Sequence, residues 1–161
     1  MAEVLLRRAL PGAEVSSAGT MYEGGVEASG GSVRAMAARG LALDAHVSRR
    51  LEREMLDADL VLGMTRAHVR DAVVLEPSAF GRAFTLKELV RRGEAVGPRR
   101  PGQGLADWLA EVGEGRRTVD LLGESPDDDV ADPIGRPDAE YERTAVELEG
   151  LVERLAILLA G

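Results

Sequence analysis

The chain has 161 residues, 45% of them hydrophobic, which fits one domain with a substantial buried core. Twenty basic and 28 acidic residues give a net charge of −8, so neither nucleic acid nor an anionic membrane is an expected partner. The sequence has no cysteine, which excludes disulfides and a thiolate nucleophile among these residues. No run is apolar enough for a membrane span or a signal peptide, so we expect a cytoplasmic protein.

Helix and strand patterns alternate along the first part of the chain. Apolar spacing, capping residues and glycines predict helices over 1–10, 32–39 and 49–56, the last capped by Ser48. Strands are predicted over 13–18 and over 58–64, where a continuous apolar run indicates a buried parallel strand. This alternation favours a three-layer α/β/α domain with a small parallel sheet.

The second part of the chain is mainly helical in pattern. The predicted elements are a helix over 66–72 capped by Thr65, a strand over 73–75, and helices over 84–92, 105–112 and 138–159. Glycine, proline and arginine are frequent between these helices, and we expect 93–120 to be a variable, insertion-like region of the single domain over 1–161.

Asp132 is the leading candidate for a catalytic side chain. Pro133 biases the residue before it towards an extended backbone, so the carboxylate is expected to point outward from a loop. Nearby acidic residues disfavour the ionised form of such a carboxylate, and this suits a general acid. Taken alone, an Asp-Pro pair is usually no more than a turn signal.

Other candidate sites are weaker. His46 and His68 lack metal-ligand spacing, and we expect them to be ordinary surface or hydrogen-bonded histidines. The glycines at 102 and 104 lack the third glycine of a dinucleotide-binding loop. The acidic run at 127–129 offers oxygen ligands to a cation, but such a run is usually a solvated loop.

Four segments occur in an order known from one family. They are S-S-A-G-T at 16–20, R-G-L-A-L-D-A-H-V-S-R-R-L at 39–51, A-D-L-V-L-G-M-T-R at 58–66 and D-D-D-V-A-D-P-I-G at 127–135. Together they resemble the low-molecular-weight protein tyrosine phosphatases, and the bacterial type in particular. The resemblance implies a parallel sheet of strand order 2-1-3-4 and a cysteine-dependent phosphomonoesterase that needs no metal or other cofactor.

The resemblance also implies which parts of the catalytic machinery these residues contain. In the family a C-x5-R-[ST]-P loop follows the opening strand and leads into a helix, and Met1 aligns with the residue just after that loop. The nucleophilic cysteine, the loop arginine and the opening strand are therefore not among these residues. We expect a start codon assigned too late, with codons for the loop directly upstream of Met1, and an inactive and marginally stable chain as it stands.

Several residues correspond to site positions of the family. Asp132 matches the general acid that protonates the leaving oxygen. Tyr22 and Ile134 match positions that wall the substrate cleft, although many members carry an aromatic side chain at the second. Ser16 or Ser17 corresponds to a serine that supports the phosphate loop, with local backbone bonding as an equally weighted alternative.

The substrate and the activity stay open at this point. The expected partner is a phosphorylated protein or a small phosphomonoester, and an aliphatic residue after Asp-Pro is closer to bacterial members, some of which act on phosphoarginine. A non-catalytic relative that binds a phosphorylated ligand, or a different α/β enzyme that shares only these segments, are the alternatives.

Overall fold

The structure, a computed structural model, describes residues 1–21, 25–43 and 45–160. Its α-helices are α1 (Ala2–Ala9), α2 (Gly30–Ala37), α3 (Arg66–Leu75), α4 (Leu86–Val96), α5 (Leu105–Val112) and α6 (Asp138–Leu159). Its strands are β1 (Val61–Gly63) and β2 (Ala83–Thr85), and short 3-10 helices span Arg53–Asp57, Pro77–Arg82 and Thr118–Leu121. Helices combined with a small parallel sheet confirm the predicted α/β class.

The chain forms two compact units. The first comprises Met1–Arg50 with Ala131–Glu153, and the second comprises Leu51–Val130 with the chain from Arg154 on. A single domain over 1–161, with a variable region at 93–120, stays a prediction. Among the described residues, no helix combines the length and the apolar character that crossing a bilayer requires.

The sheet of the second unit has two parallel strands in the register Val61 to Ala83 and Gly63 to Thr85. Helix α3 makes the crossover that a parallel pair requires. Its predicted cap is confirmed, because Thr65 Oγ1 accepts a hydrogen bond from the His68 amide at 3.3 Å. The end of β1 is closely packed, since a Cβ on Gly63 would lie 2.7 Å from Val69 Cγ2.

The strand predicted over 73–75 is wrong, because these residues form the last turn of α3. Val69 and Ala72 are buried while Val74 is 77% exposed, which is the pattern of a one-sided helix rather than of a buried strand. The second strand is instead Ala83–Thr85, whose last two residues were predicted to begin the helix over 84–92.

The predicted end of α4 at Gly93 is also wrong, because the helix continues to Val96 and ends at Gly97 with a φ of +101°. Gly93 is a packing glycine. A Cβ there would lie 2.9 Å from Leu158 Cδ1 and 3.0 Å from the Trp108 ring, so a side chain would separate these groups. Trp108 is fully buried, and its Nε1 donates to Gly97 O at 3.0 Å.

Two predicted elements of the first half are not regular. Residues 13–18 form no strand, and the segment ends in a single parallel bridge between Gly19 and Arg50. A strand exists only where a neighbouring backbone accepts and donates its hydrogen bonds, and the described part of the chain supplies this one bridge. The α-helix predicted over 49–56 is also wrong. Ser48 N donates to Val26 O at 2.8 Å, residues 49–52 are not helical, and only Arg53–Asp57 form a short 3-10 helix.

The first unit is built around α6, whose predicted apolar stripe is confirmed. Tyr141, Ala145 and Leu148 are buried there, as are Leu5 of α1 and Met36 of α2. The ion pairs of this unit surround its core: Arg8 and Arg39 both bind Glu149, and Arg39 also binds Glu142.

Candidate functional site

Helix α1 places an acidic side chain in its first turn, near the positive end of the helix dipole. Leu5 and Leu6 are buried and set the face of α1 that packs inward. Glu3 points the other way but is only 11% exposed, because Arg7 covers it with an ion pair of 2.6 Å across one helical turn. The first turn of α1, where a helix favours a bound anion, therefore carries the carboxylate of Glu3, paired with Arg7.

Glu3 also joins two segments that are distant in sequence. Ser17 Oγ donates a short hydrogen bond to Glu3 Oε2, and His46 Nδ1 lies 3.6 Å from the same oxygen. The backbone of Ser17 is fixed as well, since its carbonyl accepts from Arg49 Nε at 2.8 Å. Ser17 therefore has a defined position, whereas the neighbouring Ser16 is exposed.

These groups line an open, polar depression of about 660 Å³. Its walls come from the start and end of α1, from residues 13–17 and from residues 46–49. Ser16 and Ser17 belong to this lining, whereas Asp132 and Ile134, both among the described residues, lie outside it. The structure thus brings the predicted loop-support serines to one depression and leaves the predicted acid in a separate loop.

Asp132 occupies a turn that its own side chain stabilises. The residue is exposed, and Oδ1 accepts a hydrogen bond from the Ile134 amide at 3.0 Å. Pro133 is buried, and its carbonyl accepts from Arg136 N at 2.9 Å. Gly135 follows with a φ of +71°, where a side chain would be strained. One carboxylate oxygen thus orients the turn, and the group stays open to solvent as predicted.

The acidic run before Asp132 is not the solvated loop expected from the sequence. Asp128 is 4% exposed and accepts from Arg66 Nη2 and Arg91 Nη2, each at 2.7 Å. Burial opposes the ionisation of Asp128, yet these hydrogen bonds bring its pKa below the ordinary value. Asp129 accepts from Arg66 N at 2.7 Å and from Ser125 N at 2.9 Å. Two of the three carboxylates of the run, those of Asp128 and Asp129, are therefore occupied by protein donors, and Asp127 is exposed.

Of the two predicted substrate-binding residues, the structure describes one. Tyr22 lies outside the described residues. Ile134 is 61% exposed, directly after the Asp132 turn, so an aliphatic surface borders the carboxylate.

The contact between Glu3 and His46 was not predicted from the sequence. The spacing of a single glutamate and a single histidine in the sequence does not predict a contact between them, because that contact depends on the tertiary fold. The motif around His46 was part of the family resemblance, and that was the one available signal.

The chain matches one family model along most of its length. The model for low molecular weight phosphotyrosine protein phosphatase covers residues 1–114. The protein-arginine-phosphatase of Geobacillus stearothermophilus is 32% identical over 156 residues, 96% of this chain and 82% of that protein. A probable low molecular weight protein-tyrosine-phosphatase, EpsP of Ralstonia solanacearum, is 38% identical over 90 residues, 55% of this chain and 62% of that protein.

Solved structures give the same result for the fold. The YwlE arginine phosphatase from Geobacillus stearothermophilus superposes with a TM-score of 0.69 at 32% identity, over 96% of this chain and 80% of that chain. The tyrosine phosphatase amsI of Erwinia amylovora has a TM-score of 0.72 at 20% identity, over 99% of this chain and 83% of that chain, which shows a shared fold.

The α/β fold with a small parallel sheet and these matches place the chain in a class of protein phosphatases. The protein belongs to the low molecular weight phosphotyrosine protein phosphatase family. Its 161 residues contain no cysteine, so the nucleophile of the family's chemistry is not among them.

Proposed function

We propose that these residues supply the general acid and the loop support of a cysteine-dependent protein phosphatase, with the nucleophile coming from a segment outside them. The observation that carries the proposal is the Asp132 turn. Its carboxylate is exposed, oriented by the Ile134 amide, and followed by a buried proline that fixes the backbone. A proton donor needs this combination of fixed direction and open access.

The reaction follows from cysteine chemistry in two steps. A thiolate attacks phosphorus and an S–P bond forms. The P–O bond of a phosphoester, or the P–N bond of phosphoarginine, breaks while the leaving oxygen or nitrogen takes the proton of Asp132. Water then attacks the phosphocysteine, Asp132 accepts a proton from that water, and the S–P bond breaks to release phosphate. The same carboxylate thus acts first as an acid and then as a base. A structure of the YwlE arginine phosphatase with a cysteine-to-serine change and a phosphorylated active-site serine supports a covalent intermediate.

Ser17 is the better of the two candidates for phosphate-loop support. Its hydroxyl hydrogen is directed at Glu3, so the oxygen lone pairs remain able to accept an N–H from an adjacent loop. Glu3 lies in the first turn of α1, the end of a helix that stabilises anions. We assign Ser17 as a positioning residue and Ser16 as an exposed neighbour without that constraint.

Phosphorylated protein is the substrate class that the family implies, and phosphoarginine is the form that one relative of wide coverage favours. The relative that covers 96% of this chain is named a protein-arginine-phosphatase. Ile134 also supports this assignment, because a branched aliphatic side chain beside Asp132 offers no ring to stack on a phosphotyrosine. Tyr22 stays a prediction of the family resemblance, as a residue of the substrate cleft.

The alternative is a non-catalytic relative that binds a phosphorylated ligand. The lack of cysteine favours it, since these residues alone cannot form the phosphoenzyme.

A fusion experiment tests the proposal. The cysteine-containing N-terminal segment of the Geobacillus stearothermophilus arginine phosphatase is joined in frame before Met1, and hydrolysis of p-nitrophenyl phosphate is measured. We expect turnover in the fusion and a loss of about 10²- to 10⁴-fold in kcat for Asp132→Asn. Asp127→Asn, in the same loop and exposed, is the matched control and should keep the rate.

Each outcome of the fusion experiment decides between the candidates. Equal kcat for the fusion and its Asp132→Asn variant contradicts the general-acid role. A folded fusion without turnover supports the non-catalytic alternative. Comparing kcat/KM for phosphoarginine and phosphotyrosine peptides then decides the substrate, with the first expected to be higher.

A further inference from the structure

An arginine-rich cavity of about 220 Å³ lies in the second unit, apart from the residues assigned above. We call it the arginine pocket. Its basic lining residues are Arg66, Arg91, Arg92, Arg116 and Arg117. Its acidic lining residues are Glu88, Asp120 and Asp128. Guanidinium groups exceed carboxylates by two, in a chain whose net charge is −8.

The arginines converge because α4, the start of α3 and the loop after α5 direct them to one place. Glu88, Arg91 and Arg92 are three and four residues apart on α4, so they share one face of that helix. The loop after α5 contributes Arg117, and the start of α3 contributes Arg66. The site is therefore assembled by regular structure rather than by mobile side chains alone.

The carboxylates of the arginine pocket accept hydrogen bonds from only some of its guanidinium N–H groups. Asp128 accepts three hydrogen bonds from Arg66 and Arg91, whose two guanidinium groups carry ten N–H donors. Asp120 binds Arg117 through one terminal nitrogen, at 2.9 Å. Arg117 is 73% exposed and Arg91 is 55% exposed, so further donors of both can turn towards a ligand.

Arg92 gives a second, independent indication of an anion site. Its Nε is buried and has no hydrogen-bond partner among the described residues, although Glu88 Oε1 lies 3.1 Å away as an ion pair. The N–H is not directed at that oxygen, so the two groups attract each other without a hydrogen bond. A buried donor left in this state is uncommon in proteins and is often completed by water or an ion.

From these observations we infer that the arginine pocket binds a phosphate-type oxyanion, either free phosphate or the phosphoryl group of a modified side chain. The excess of two positive charges matches a dianion. Guanidinium forks bind two oxygens of such a group at once. A volume of 220 Å³ equals about seven water molecules at roughly 30 Å³ each, which accommodates a tetrahedral anion.

The test is a titration of the 161-residue chain with inorganic phosphate against sodium chloride of equal ionic strength, by calorimetry. Arg117→Gln is the test variant, because Arg117 is exposed and its loss should not unfold the protein. Arg143→Gln is a closely matched control. Arg143 is 74% exposed and pairs with Glu140 three residues away, as the 73% exposed Arg117 pairs with Asp120.

We expect saturable phosphate binding that Arg117→Gln weakens roughly tenfold and Arg143→Gln leaves unchanged. In parallel, the Nε–H resonances of Arg66, Arg91 and Arg92 should shift on titration in an NMR experiment. No saturable binding, or an equal loss in both variants, overturns the inference. Repeating the titration with free phosphotyrosine separates the two sources, since tighter binding of the amino acid would indicate a modified side chain as the ligand.

Discussion

Arg116 offers the sharpest test of how the second unit is stabilised. Its side chain is 4% exposed, Nε donates to Glu88 Oε1 at 2.8 Å, and the terminal nitrogens donate to Phe80 O at 3.0 Å and Ala83 O at 2.7 Å. Its Cζ lies 3.8 Å from the centroid of the Phe84 ring. One guanidinium thus links β2, α4 and the loop after α5.

We expect Arg116→Met to destabilise the protein by about 3–5 kcal/mol, because removal of one partner leaves the other buried charge without its best contact. Methionine keeps most of the volume against the Phe84 ring, so the loss reflects polar contacts rather than a cavity. Glu88 is 8% exposed and would retain the ion pair with Arg92 at 3.1 Å. This remaining pair keeps the expected loss within the stated range.

Urea unfolding measures the change, in a stabilising osmolyte so that the parent protein shows a complete transition. Arg117→Met is the control at the adjacent position, where the side chain is 73% exposed, and should leave the urea midpoint nearly unchanged. Adding Glu88→Gln to Arg116→Met should restore part of the loss, since the buried carboxylate is then uncharged. A loss below about 1 kcal/mol for Arg116→Met refutes this reasoning.

Three further outcomes are expected. Gly31→Ala should lower stability by about 1–3 kcal/mol, because its Cβ would lie 2.5 Å from the buried Tyr141 ring. Gly150→Ala, at the one glycine of α6, is the control and should not destabilise the protein. Equal urea midpoints for the two variants contradict this expectation. Hydrogen bonds from Ser78 and Arg53 lower the pKa of Glu76 from 4.5 to about 2. The ionised Glu76 therefore stabilises the folded protein fully above pH 4.5, and this contribution is lost as the pH falls towards 2. Glu76→Gln should remove that part of the acid sensitivity of unfolding. Residues 1–161 should melt below about 45 °C, since the described sheet has two strands, and a cooperative transition above 65 °C refutes the expected marginal stability.

Local signals in the sequence were sufficient for several elements. The stripe of α6 has apolar residues every three or four positions, and the cap at Thr65 depends on neighbours within one turn. Both predictions are confirmed, and each feature depends only on residues close together in the sequence. The predicted opening helix is confirmed as α1, and the helix over 105–112 is confirmed as α5.

Features that depend on distant contacts could not be predicted. Ala83–Thr85 is too short to show alternation, and it is a strand because β1 pairs with it. Gly93 looked like a helix end, but the approach of Trp108 explains it. Arg116 lay in a segment expected to be variable and insertion-like, although its side chain is buried among aromatic rings and carbonyl groups.

The same distinction applies to the candidate site. The Asp132 turn is local, because the proline and the Ile134 amide adjoin the carboxylate in sequence, and its outward direction was predictable. The meeting of Glu3, Ser17 and His46 joins three distant segments, so no spacing rule could have indicated it. For this part of the site, the family resemblance of the segments around Ser17 and His46 was the available signal.

The most direct test of the account measures phosphate release by the purified 161-residue chain, with p-nitrophenyl phosphate as substrate. The account predicts no release above the buffer rate, because a general acid without a thiolate cannot form the phosphoenzyme. Turnover by this chain that is lost in its Asp132→Asn variant would contradict the account, since it would show that these residues contain a complete catalytic site.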